Sequence, residues 1–175
     1  MNPLLLNEVI SSLTLVKTLL DDALIILNTI KQEEPLTLAS YHLNQEAVEK
    51  RFSFPEELTV ILSIAQDYFS DFERPPVNPY ALLLAIREAE QGRKGLEFGI
   101  MHQKAKNTDL RTQAEWACAT VRNTMQRFNA QNIEPDFIAF LGRRYAPVGA
   151  ENDKEGLNQN WVRNVKFWYE KFSDG

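Results

Sequence analysis

Apolar residues recur near the start of the chain at Leu6, Val9, Leu13, Val16, Leu20, Ala23, Leu27 and Ile30, in alternating steps of three and four. That spacing is a heptad seam and predicts a helix over about residues 3–31. Leu5, Ile10, Leu19, Leu24 and Ile26 widen the seam, so the helix is expected to bury more than one face. Its partner could be the rest of the chain, a second copy or another protein, because bundles and coiled coils share the pattern. The pattern then weakens past the breaker Pro35, with a short helix expected near residues 44–51.

Further helices are announced by their start signals. Ser53-Phe54-Pro55-Glu56 has the spacing of a capping box with proline just inside the helix. The stripe Leu58, Ile61, Leu62, Ala65, Tyr68 and Phe69 follows, and Pro75-Pro76 ends it. We take that break as the boundary between an N-terminal helical region, 1–75, and a domain over 76–175. Asn78-Pro79 opens the next helix and Gly92 is expected to close it. Residues 93–107 lack helical period and contain Gly95 and Gly99, which predicts a loop or a small β-hairpin. A long helix is expected over 109–129, with Thr112 and Glu115 as a capping pair. Pro135 opens a shorter one, DFIAFLGRRY, a turn-rich stretch covers 146–156, and a last helix over 157–172 carries Trp161, Val165, Phe167 and Trp168. The fold class is mainly α.

Composition narrows the functions this fold could serve. A length of 175 residues with 44% hydrophobic and 25% charged residues is globular. A formal net charge of −5 argues against a general nucleic-acid binder, which needs a basic footprint. The N-terminus has no basic n-region or small-residue cleavage site, so no signal peptide is expected, and Glu8, Lys17, Asp21 and Asp22 interrupt any membrane span. One cysteine, Cys118, cannot form an internal disulfide, and it reads as a small buried residue of its helix. His42 and His102 are too few and too scattered for a zinc site, and no cofactor is implied.

The helix from Asn78 carries two acids near its end, and one is suited to proton transfer. At 100° per residue, with Leu82 at zero, Ile86 falls near about 40°, Glu90 near about 80° and Leu83 near about 100°. Glu90 is thus flanked by apolar side chains, while Glu88, near about 240°, is expected to be exposed. A carboxyl at the end of an apolar helix is half desolvated yet able to reach substrate. Burial disfavours its charged form and raises its pKa towards working pH, as a general acid requires.

Ala85-Ile86-Arg87-Glu88-Ala89-Glu90-Gln91-Gly92 resembles the glutamate helix of lysozyme-like enzymes, in which lytic transglycosylases end the helix with Glu-Ser-Gly. Here the serine position holds Gln91. Phe98-Gly99-Ile100-Met101 is similar to the hydrophobic strand that follows the glutamate in that superfamily. Phe137 to Pro147, then Glu151-Asn152-Asp153, then Trp161 to Val165, are similar in order to phage and prophage lysozyme-like proteins. The resemblance covers about residues 78–172. It implies cleavage of the β-1,4 bond between N-acetylmuramic acid and N-acetylglucosamine in peptidoglycan strands, with Glu90 as general acid. Glu97 is the nearest candidate for a second catalytic group, with Asp109 behind it, and Phe98, Tyr145 and Asn152 are candidate substrate contacts. Tyr145 is expected to bond Glu90 or stack on a sugar. Arg143 and Arg144 either face an anionic polymer or complement a helix end.

Three functions stay open at this point. One is a peptidoglycan-cleaving enzyme, held in the host cytoplasm before release or carried on a virion. A second is a non-catalytic phage structural or interaction protein that keeps the fold and assembles through residues 3–31, with itself or a virion partner. The third is a helical adaptor unrelated to the cell wall.

Overall fold

The computed structural model describes residues 16, 17, 20, 41–52, 55–131, 136–151 and 153–173. It divides the chain into two units, 1–37 and 38–175. Of the first, only Val16, Lys17 and Leu20 are described, in helical conformation and exposed. The heptad seam, the Ser53 cap and Pro135 therefore lie wholly or largely outside the described residues.

The second unit is helical: α1 (Gln45–Arg51), α2 (Pro55–Phe69), α3 (Pro79–Glu90), α4 (Leu110–Gln131), α5 (Phe137–Tyr145), a 3-10 turn (Leu157–Asn160) and α6 (Trp161–Phe172). Among the described residues there is no strand, only one antiparallel bridge between Leu43 and Ser173. Residues 91–109 are a succession of turns rather than a hairpin. The Pro75-Pro76 break is a turn inside this unit, because α1 and α2, which precede it, pack on α6 and on α3 and α4.

α3 is the central helix, and its sequence dictates that position. Ala81, Leu82, Leu83, Leu84, Ala85 and Ile86 point to every side of the helix and are all fully buried, as a helix apolar all round must be. Truncating one of these leucines to alanine would cost about 2–5 kcal/mol. α6 covers α3 most extensively, and α2 and α4 pack on its other sides. The side chain of Asn78 caps α3 by accepting from the N–H groups of Tyr80 (3.0 Å) and Ala81 (3.3 Å). Its own amide donates to the carbonyls of Tyr41 and His42, both at 2.9 Å, and its backbone N–H donates to Tyr169 Oη at 3.0 Å. One cap residue thus fixes the entry to α3 against the 41–42 segment and α6.

Two helix starts differ from expectation. α4 is capped by Asp109, whose Oδ1 accepts from Thr112 N–H at 2.8 Å, rather than by a Thr112–Glu115 pair. The shorter carboxyl of Asp109 reaches the free amides of the first turn directly. α5 is capped by Asp136, which accepts from Ala139 N–H and pairs with Lys166 of α6.

Candidate functional site

α3 ends at Glu90. The residue in left-handed conformation is Gln91 (φ 45°), not Gly92. Gly92 serves close approach instead, since a Cβ there would lie 1.6 Å from the carbonyl oxygen of Leu96. The turn therefore folds back on the helix end and brings Gly99 against the Glu90 carboxyl. A Cβ on Gly99 (φ +67°) would stand 2.2 Å from Glu90 Oε2, so any side chain here would collide with the acid.

The other oxygen has a donor. Trp161 Nε1–H, from the first turn of α6, donates to Glu90 Oε1 at 2.8 Å. Burial raises the Glu90 carboxyl above its ordinary range, and the Trp161 hydrogen bond draws it part of the way back. A neutral donor satisfies the carboxyl without adding a counter-charge that would favour its charged form.

Tyr145 closes the arrangement. Its ring stacks on Trp161 with centroids 5.1 Å apart and an interplanar angle of 24°, and its hydroxyl donates to the carbonyl of Phe98 at 2.8 Å. Burial first, and then the nearby Glu90 charge, push the phenol well above its usual pKa. The expected direct bond from Tyr145 to Glu90 is replaced by this indirect one, because the hydroxyl is spent on the loop. Beside Gly99 and Tyr145 opens a cavity of about 360 Å³ whose walls include Met101, His102, Trp116 and Arg144. His102 and Trp116 stack within it at 4.4 Å.

Two candidates occupy other places than the sequence suggested. Phe98, expected to touch substrate, is fully buried in the core; its backbone, not its ring, reaches the site. Glu97, expected on the cleft wall, is buried within its own turn, where Oε1 accepts from Gly95 N–H at 2.9 Å. It acts as a local cap for the chain reversal. Asn152 lies outside the described residues.

Glu88 is a further correction. It is 8% exposed rather than solvated and is ion-paired with Arg51 of α1. The helix wheel misled because α3 has no solvent face at that level. Cys118 is buried as expected, and burial pushes its thiol pKa up, so it holds little thiolate. Among the described residues no three metal-ligating side chains cluster, and no helix is long and apolar enough to cross a membrane.

Two organisers went unread in the sequence. Trp161 stands in the sequence as aromatic bulk and as the head of the last similar block, with no acceptor assigned, although a buried indole N–H calls for one. Gln113 is fully buried and holds the turn segment: its Oε1 accepts from Ile100 N–H (3.2 Å), and its Nε2 donates to the carbonyls of Ile100 (3.1 Å) and Ala105 (2.8 Å). Its signal was present, since Gln113 is in step with Ala117, Val121 and Met125 on the apolar stripe of α4. Comparisons with family models, curated proteins and solved structures found no match to this chain.

Proposed function

We propose that the protein is a lysozyme-like glycosidase that cleaves the β-1,4 link between N-acetylmuramic acid and N-acetylglucosamine, with Glu90 as general acid. One observation carries this reading: a desolvated carboxyl at the end of a central apolar helix has one oxygen held by an indole N–H and the other against a glycine beside a cavity. Glu90 gives its proton to the glycosidic oxygen as the sugar becomes oxocarbenium-like. With Glu97 committed to Gly95 N–H, a single carboxyl that gives and then takes a proton suits the site better than a carboxylate pair. The sugar's own hydroxyl then serves as nucleophile, and the product is anhydro. The chemistry calls for no cofactor, and a phage or prophage lysin released from the host cytoplasm or carried on a virion fits the reading.

The test is clearing of purified peptidoglycan in turbidity and gel assays by the wild type and by Glu90→Gln. Clearing by the wild type alone is expected, with mass analysis giving anhydro sugars. Clearing that survives Glu90→Gln removes Glu90 from the chemistry. A second reading, a non-catalytic interaction protein of the same fold, draws on the burial of Phe98 and Glu97. It predicts no clearing by the wild type and a change of assembly state when residues 3–31 are deleted.

A further inference from the structure

Glu90, Trp161, Tyr145 and the Phe98-Gly99 turn form a closed circuit. Trp161 donates to Glu90, Tyr145 stacks on Trp161, Tyr145 holds the carbonyl that precedes Gly99, and Gly99 abuts Glu90. Trp161 is only 6% exposed. It faces Gly142 of α5, where a Cβ would come within 3.2 Å of its Cε3. The indole is thereby held on three sides.

We infer that Trp161 is a positioning residue that fixes which oxygen of Glu90 carries the acid's proton, reserving Oε1 for its own N–H and leaving the proton on Oε2, against Gly99. The inference rests on the reading of Glu90 as the acid. Its physical ground is that two hydrogens cannot point at one another across 2.8 Å. While the indole N–H is aimed at Oε1, that oxygen is the acceptor, and because the carbonyl oxygen of a carboxylic acid accepts better than its O–H oxygen, a protonated Glu90 carries its hydrogen on Oε2. Gly99 lines the cavity and keeps that oxygen free of any side chain. In the reaction the Oε2–H bond breaks and the proton passes to the glycosidic oxygen. That oxygen keeps the electron pair of the broken C1–O bond, and the pair left on Oε2 is shared with Oε1, where the Trp161 N–H stabilises it.

The groups facing Glu90 limit what else can govern its titration. α6 presents the neutral indole and the turn presents Gly99. α5 presents Tyr145, the titratable group coupled to Glu90, which stays neutral across the working range.

The test uses the whole chain in solution, with ¹³C-labelled glutamate and ¹⁵N-labelled tryptophan observed by NMR from pH 4 to 8. In the wild type, the Trp161 indole N–H and the Glu90 carboxyl carbon are expected to titrate with one shared midpoint. An indole signal that ignores pH overturns the inference. In Trp161→Phe, which keeps a ring but loses the donor, the Glu90 midpoint moves up, because the lost bond favoured the carboxylate. The corresponding limb of the clearing-versus-pH profile moves with it. A midpoint that stays in place overturns the inference as well. Should Trp161→Phe not fold, the wild-type indole titration decides by itself. If Glu90→Gln still clears peptidoglycan, the catalytic reading falls, while coincidence of the two titrations continues to decide the role of Trp161.

Discussion

Glu88 and Glu90 stand two residues apart on one helix and are both withdrawn from water, yet by opposite means. Glu88 meets the guanidinium of Arg51, which also lies over the Trp168 ring at 5.1 Å. Glu90 meets an indole N–H and a glycine. The Arg51–Glu88 ion pair is a structural tie between α1 and α3. A neutral donor in an apolar surround leaves the Glu90 carboxyl raised above its ordinary range by burial.

The most severe break in this comparison is Glu90→Gln. It is expected to lower peptidoglycan clearing by at least about 10²-fold, the low end of what a general acid contributes, and to leave the circular dichroism spectrum unchanged. Equal loss in Glu88→Gln would erase the distinction between the two acids.

Arg51→Ala strikes the other side. It strands the Glu88 carboxylate and should cost about 1–2 kcal/mol, less than for a fully buried pair because the Arg51 side chain is 45% exposed. Thermal unfolding should then fall by a few degrees. An unchanged midpoint would make the pair ornamental.

pH gives a finer test of Glu90. Burial holds the folded-state pKa of Glu90 above its ordinary 4.5. Between those two values the folded state binds more protons than the unfolded one, so this group's contribution to stability declines as pH rises through the window. Glu90→Gln lacks that decline and should therefore gain on the wild type in melting temperature from pH 4.5 upwards, levelling off above the folded-state pKa. Parallel melting curves across that range would contradict the raised value.

The smallest expected effect is in Glu97→Gln. It should cost about 1 kcal/mol through the Gly95 cap, while clearing stays within a few fold of wild type. A collapse of activity in a folded variant would return Glu97 to the chemistry.

How much of this was legible in the sequence follows from range. Helices declared themselves through local signals: Asn78-Pro79 before α3 and the apolar stripe of α2. The position of Glu90 was legible too, because its place at the end of an apolar helix is a property of twelve consecutive residues. Its partner was not. Trp161 is 71 positions from Glu90, and Arg51 is 37 from Glu88, and nothing in either local pattern says which acid each will meet. The run Ala81 to Ile86 did contain the correction to the wheel, since six successive apolar residues leave no solvent face. Phe98 went astray for a related reason: a loop aromatic beside a candidate acid looks like a sugar contact until the core has claimed it.

That the donor to Glu90 comes from α6 has a consequence for the order of events during synthesis. α3 leaves the ribosome with its apolar surface complete, but the helix that covers most of it is the last of the described elements to emerge. Until residue 161 is free, Glu90 has no indole N–H to accept from. Chains that end before α6 should therefore expose the apolar surface of α3 and leave Glu90 without its donor together.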